Sequence, residues 1–246
     1  MTVEDADGWT RAGAAVFRPV RDGNAFEETV ERLLQSIKLG VVAPGERLPP
    51  ERELATRFKV SRVTLREALR ALGEAGYVES RRGRYGGTFV REQLPRREPD
   101  RAAAGWHRLA ADFEDVMLLR DVLEVGTAEA AASADLSQGE RLHLRERAEA
   151  CRSAPLSDYR RTDSRFHLAL AEVTGSASLT AAVADVRMRT NDYLDAIPLI
   201  ARNIGHSNDQ HQTVVDAVLA GDPERARLAM AEHLSGTAAL LRGFLS

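Results

Sequence analysis

At 246 residues the chain exceeds the usual size of one domain, so two domains are expected, each with ample material for a core. Its 34 basic and 37 acidic side chains leave a formal net charge of −3. The single cysteine, Cys151, excludes an internal disulfide framework and fits a reducing cytoplasm. With no long apolar run near the start, and with Glu4, Asp5 and Asp7 early, neither a signal peptide nor a membrane span is expected.

Residues 1–22 read as a flexible N-terminal segment, apart from Phe17 to Val20, which can pack on the domain that follows. Asn24 with Glu27 three residues on has the form of a capping box, and Phe26, Val30, Leu33, Leu34 and Ile37 keep helical spacing up to Gly40. Val41 to Leu48 carries a Pro-Gly turn. Pro49 and Pro50 ahead of Glu51 signal the next helix, with Leu54, Ala55 and Phe58 on one face.

Lys59 and Val60 form a tight turn, and Ser61 is placed to cap a further helix beginning at Arg62, with Val60 and Leu65 at the spacing of a hydrophobic staple. In that helix Leu65, Leu69 and Leu72 make a buried stripe, while Arg62, Arg66 and Arg70 recur on another face. Gly76 suits the position after the helix end. Tyr77 to Ser80 and Thr88 to Val90 then form a hairpin around the tip RRGRYGG. This order predicts a winged helix-turn-helix over 23–91.

From Arg47 to Arg91 there are eleven Lys and Arg against five Asp and Glu, so positive charge is segregated there although the whole chain is slightly acidic. An isolated charge run is commonly a solvated face. On a motif of this geometry it supplies phosphate neutralisation.

Residues 92–111, polar and interrupted by Pro95 and Pro99, read as a linker. Beyond it, over 112–246, helical periodicity dominates. Helices are expected at about 112–134, 138–152, 156–174, 177–196, 204–220 and 223–244, with breaks at Ser137 to Gly139, Pro155, Gly175, Pro198, Gly205 and Gly221 to Pro223. Asp163 and His167 lie four apart on one helical face and can chelate one ion; His211 and His233 sit on separate later helices. Three imidazoles and a carboxylate pointing inward from three helices would make a metal site in the bundle core. Taken alone the Asp-x3-His pair is weak evidence, and each later histidine has a plainer reading as a satisfied core residue.

The run LPPERELATRFKVSRVTLREALRALGEAGYVESRRGRYGGTFV resembles the DNA-binding domain of GntR-type bacterial transcription regulators, without a gap. The resemblance places DNA contacts on Arg52, Ser61, Arg62, Arg66, Arg82 and Gly83, with Thr64 beside them. Arginine forks can read guanine or clamp phosphate, Ser61 can donate to phosphate from a helix N-terminus, and Gly83 lets the wing backbone come close to the minor groove. Pro50 departs from the family's usual small or hydroxylated cap.

The segments LLRDVLEVGTAEAAA, DSRFHLALAEVTG and QHQTVVDAVLAGDPERARLAMAEHL resemble the all-helical FCD effector domain of the FadR branch of that family. Metal-binding members use an aspartate and three histidines, which fall on Asp163, His167, His211 and His233. Zinc is the first choice for such ligands, with nickel, manganese or iron as alternatives. His107, His143 and His206 have no matching positions and read as surface or local structural residues.

The resemblance also implies a small carboxylate, hydroxy-acid or sugar-acid effector. Arg120 is the candidate to pair its carboxylate; the competing reading is a helix-surface ion pair with Glu124. Arg187 and Asn191 share a helical face and can line the same pocket. Ser176 stands where related sequences often have asparagine, and it can still cap a helix.

The expected fold is mainly α, a winged helix-turn-helix followed by a helical bundle. The expected function is a ligand-responsive, cytoplasmic transcription regulator, in the repressing mode, whose homodimer binds an inverted-repeat operator in double-stranded DNA. Two alternatives stand beside it: a metal-dependent enzyme built on the bundle site, and a regulator that senses the metal itself. No separate base or nucleophile accompanies the ligands in a motif context, which weighs against the enzyme.

Overall fold

The computed structural model describes residues 11–19, 25–83, 86–95, 112–195, 197, 199 and 201–245. The chain forms two compact units, one within Gly13–Arg96 and one within Arg97–Ser246 that also takes in Arg11 and Ala12. No helix among the described residues is long and apolar enough to cross a membrane.

A short helix, α1 (Arg11–Val16), occupies part of the stretch expected to be flexible. Ala12, Ala15 and Val16 have the i, i+3, i+4 spacing of a buried helical face, and all three are buried. Phe17 follows, fully buried, with its ring 5.7 Å from that of Phe58.

Helix α2 (Ala25–Lys38) buries Leu33 and Ile37. Its expected cap, Asn24, and the side chain of Glu27 lie outside the described residues. Helix α3 (Glu51–Phe58) starts directly after Pro50, which makes no side-chain cap bond, and buries Leu54, Ala55 and Phe58. It ends at Lys59, held at φ 55° in the left-handed region that glycine usually fills. Helix α4 (Arg62–Glu74) begins where expected, capped by Ser61, and buries Leu65, Ala68, Leu69 and Leu72. After α4 the chain turns at Gly76, φ 83°, where Tyr77 N–H donates to the Leu72 carbonyl at 2.9 Å.

Strands β1 (Val78–Arg81) and β2 (Gly87–Val90) pair antiparallel, in register from Val78 opposite Val90 to Arg81 opposite Gly87. Both begin one residue away from the sequence expectation. Sequence patterning also missed a third partner: Arg47 bridges to Phe89, and Leu48 N–H donates to the Thr88 carbonyl at 2.8 Å. The segment before α3 thus backs the wing as a short extra strand rather than serving only as a turn.

The second unit holds six helices: α5 (Phe113–Ser133), α6 (Gln138–Arg152), α7 (Tyr159–Val173), α8 (Ala177–Leu194), α9 (Ala201–Ala220) and α10 (Pro223–Leu245). Ser137 caps α6 in a full capping box with Glu140, and Ser176 caps α8 by accepting from Leu179 N–H at 3.2 Å. Two helix starts differ from expectation by three residues, and the other bounds by at most two. Helix α7 starts at Tyr159 because Pro155 to Asp158 close a turn, Asp158 N–H donating to the Pro155 carbonyl at 2.9 Å. Helix α9 starts at Ala201 and runs through Gly205, which is exposed and costs the helix only about 1 kcal/mol relative to alanine.

Helix α5 is central, packing against α7, α8, α9 and α10. Its buried face is layered. Phe113, Val116 and Met117 join one apolar cluster with Tyr193, Leu194 and Leu241; Ala128, Ala131 and Ala132 join another with Phe166, Leu170, Val214 and Met230. Between these two sets along the same face come Arg120, Glu124 and Thr127, equally buried and polar. A polar layer between two apolar ones is a poor way to stabilise a bundle, because buried charge costs several kcal/mol unless paired. That layer positions the site.

Candidate DNA-reading face and candidate metal centre

In the smaller unit Ser61, Arg62, Thr64 and Arg66 lie at the start of α4, Arg52 lies on α3, and Arg82 and Gly83 lie on the hairpin. Ser61 accepts from Thr64 N–H at 3.0 Å, and the two hydroxyls are 2.8 Å apart. Arg62 and Arg66 project into solvent, as do Arg52 on α3 and Arg82 at the end of the hairpin. Arg66 Nε donates to Glu51 Oε2 at 2.8 Å, a contact between α3 and α4 that holds the guanidinium over the face. Gly83 has φ 105°, which favours glycine at the wing turn, and an added Cβ would meet nothing within 4 Å. Arg84 and Tyr85, the remainder of the tip, lie outside the described residues.

Sequence reading passed over Val63. It is 66% exposed in the middle of the arginine face, an apolar side chain that can meet a thymine methyl. Its signal was the absence of a place for it in the leucine stripe.

In the larger unit Asp163 and His167 come from α7, His211 from α9 and His233 from α10, and all four are buried. One ligand atom from each lies within 4.8 Å of every other. His211 Nε2 is 3.2 Å from His233 Nε2 and 3.4 Å from Asp163 Oδ1, while His167 Nε2 is 3.9 Å from the same oxygen. Zinc bonds of about 2.0 Å at tetrahedral angles set adjacent ligand atoms about 3.3 Å apart, so the closer separations fit a divalent cation directly. Phe166 walls the cluster, its ring 4.3 Å from that of His211.

Electrostatics prepare these groups as ligands. Burial pushes His211 down to about 3, against the pull of Asp163, and pushes His233 well below the ordinary imidazole value, with His211 and His167 adding to it. Both rings are neutral at physiological pH. Burial opposes ionisation of Asp163, but the Arg187 guanidinium leads the charges that hold the carboxyl below its usual range.

Arg120, Arg187 and Asn191 join the same polar layer. Arg187 bonds the Asp163 carboxylate through NH2 and lies 3.7 Å from Glu124 Oε1 through NH1. Asn191 Nδ2 donates to Ser164 Oγ at 2.9 Å. Arg120 Nε donates to Glu124 Oε1 at 3.1 Å, so that ion pair exists, but both side chains are buried rather than on the helix surface. Several donors there lack a hydrogen-bond partner among the described residues: Arg120 NH1 and Arg187 Nε and NH1. Unmet guanidinium donors beside this His and Asp cluster suit an anion.

Sequence reading missed three contributors. Glu124 was visible only as a partner for Arg120, because Arg120, Glu124 and Thr127 at helical spacing look like a solvated stripe. Gln210, whose Oε1 is 3.3 Å from His233 Nδ1, carried no motif. Phe166, although next to His167 in the sequence, was not singled out. Of the other histidines, His143 is buried and structural, its Nε2 3.1 Å from Glu172 Oε2; His206 is exposed; His107 lies outside the described residues.

Comparison with known proteins matches residues 26–90 to the bacterial regulatory proteins of the gntR family and residues 115–236 to the FCD domain. A chain from Mycobacterium gastri described as the HTH-type transcriptional regulator RmpR is 36% identical over 227 residues, covering 89% of this chain and 81% of that one. The regulatory protein described for the L-lactate dehydrogenase operon of Escherichia coli strain K12 is 32% identical over 222 residues, covering 85% of this chain and 83% of its own. Among solved structures, E. coli McbR/YncC aligns with a TM-score of 0.55 over 91% of this chain and 99% of that one, at 18% identity, a likeness of fold.

Proposed function

Because the chain belongs to the gntR family of bacterial regulatory proteins and carries an FCD domain, and so is a DNA-binding transcription regulator rather than an enzyme, we propose that it is a metal-assisted sensor of a small acid. In this reading Asp163, His167, His211 and His233 hold a divalent cation, zinc first, and Arg120, Arg187 and Asn191 receive a small carboxylate or hydroxy acid. The cation supplies Lewis-acid affinity for oxygen donors. The side chains supply orientation and charge.

The observation that carries the proposal is the charge balance of the buried layer. Two carboxylates, Asp163 and Glu124, face two guanidiniums, Arg120 and Arg187, and the imidazoles His211 and His233 are neutral. A divalent cation added there leaves positive charge uncompensated in a site shielded from water. An anionic chelator offsets it, and the unmet donors of Arg120 and Arg187 are its remaining partners.

A homodimer reads the two halves of an inverted repeat in double-stranded DNA, and effector binding releases repression by favouring an arrangement of the reading domains with lower operator affinity. An apolar stripe on α5, Leu118, Leu119 and Val122, supports pairing of two copies, since a monomer gains nothing from exposing it. The cation's position between core helices supports a structural and ligand-holding role over that of signal.

Metal analysis of the purified protein, followed by thermal unfolding with a panel of small acids, tests this. L-lactate belongs in the panel because of the operon named for the E. coli relative. The proposal expects about one metal ion per chain and a raised melting temperature with one class of acid, both absent in His167→Ala. A metal-free protein that no acid stabilises would leave it without support.

A further inference from the structure

Among the buried side chains near Asp163, His167, His211 and His233, Glu124 is neither a candidate metal ligand nor an acid-binding group. Glu124 is a ligand neither in the sequence pattern nor in the four-residue cluster, yet it is 2% exposed at the centre of the most connected helix. Its two oxygens have divided tasks. Oε1 takes the Arg120 Nε bond at 3.1 Å and faces Arg187 NH1 at 3.7 Å. Oε2 touches His167 Nδ1, and neither of these two atoms has a hydrogen-bond partner elsewhere or an aligned one in that contact among the described residues. The Arg120 and Arg187 guanidiniums beside Oε1 favour the carboxylate form of Glu124.

An ionised carboxylate can only accept, so the His167 nitrogen that meets it must carry the proton. The other nitrogen, Nε2, is then the lone-pair nitrogen, and it is the one turned toward Asp163. We infer that Glu124 is a positioning residue: it fixes His167 as the Nδ1–H tautomer, aims Nε2 at the cation, and ties that ligand to the Arg120 and Arg187 guanidiniums that receive the acid. The inference rests on the metal reading given above and adds a route by which the two halves of the site affect each other. An acid that draws Arg120 from Glu124 leaves more of the carboxylate's charge for the His167 N–H, which makes the imidazole a better donor to the cation. Gln210 holds His233 Nδ1 in a similar way but without charge. Glu124 is therefore the stronger of the two outer partners.

Two measurements test the inference. The first is zinc affinity by competition with a chromophoric chelator, for the wild type, Glu124→Gln and Glu124→Ala. Outer-sphere carboxylates of this kind typically change metal affinity by about 10–100-fold, and Glu124→Ala is expected in that range with Glu124→Gln between it and the wild type. The second is nitrogen-15 NMR of the metal-free wild type, which identifies the protonated ring nitrogen of His167 and does not depend on any variant folding. Nδ1–H is expected. A dominant Nε2–H tautomer would overturn the inference, and so would zinc affinity unchanged in both variants. If the wild type itself binds no zinc, the metal reading fails instead, whichever tautomer His167 shows; the two failures are thereby separate.

Discussion

Cys151 sits on α6 with no exposed surface, and burial, with Asp163 nearby, pushes its thiol up to about 12. A thiol is nucleophilic only as the thiolate, so the folded protein should resist alkylating and disulfide reagents at pH 8. Reaction should appear only with unfolding, as one thiol per chain by a colorimetric thiol assay. Rapid labelling of the native protein at pH 8 would contradict the burial described. Phe166 carries a different expectation. It is fully buried and forms part of both the apolar cluster and the wall behind His211, so Phe166→Ala should cost about 3–5 kcal/mol in denaturant unfolding. Metal affinity should fall with it, because the cavity frees the His211 ring. A loss below 1 kcal/mol would mean the ring is not the packing element it is here.

Helix α4 shows what side-chain spacing can reveal and what it cannot. Ser61 as cap, Arg62 as first helical residue and the Leu65, Leu69, Leu72 stripe follow from local rules, and the structure has all of them. The Glu51 contact to Arg66 joins residues fifteen apart on different helices, so no local rule points to it. The same contrast holds in α5. Its length and boundaries were legible within a residue, yet burial of Arg120 and Glu124 was not, since the polar layer's burial depends on four other helices closing over it. The clustering of Asp163, His167, His211 and His233 was legible chiefly through the family resemblance, since the Asp-x3-His spacing alone was weak evidence. Glu124 and Gln210 were not, being ordinary residues made significant by what lies opposite. For α4 a functional expectation follows. Arg66→Ala should cost about 1–3 kcal/mol of operator affinity and relax the preference for one base. Competition binding against operators altered at single positions checks it; an equal loss on every sequence, with a shallower salt dependence, would reassign Arg66 to phosphate.

For the molecule as a whole, charge segregation and burial divide the labour: one unit carries the exposed arginine face of α4, and the other carries paired buried charge around Asp163, His167, His211 and His233. Two copies are expected in solution. Leu118→Glu combined with Val122→Glu places charge on the exposed apolar stripe of α5, and should convert a dimer to a monomer by sedimentation equilibrium while leaving helical content intact. A wild type already monomeric at micromolar concentration would remove that expectation. The central claim is that the buried site governs DNA affinity. It is tested most directly by fluorescence anisotropy on an inverted repeat selected from random DNA, titrated with metal-loaded protein in the absence and presence of the acid that raises the melting temperature. The account predicts a fall in operator affinity of about tenfold or more with the acid bound, corresponding to a coupling of about 1–3 kcal/mol, and no response in His167→Ala. Equal affinity with and without the bound acid would contradict it.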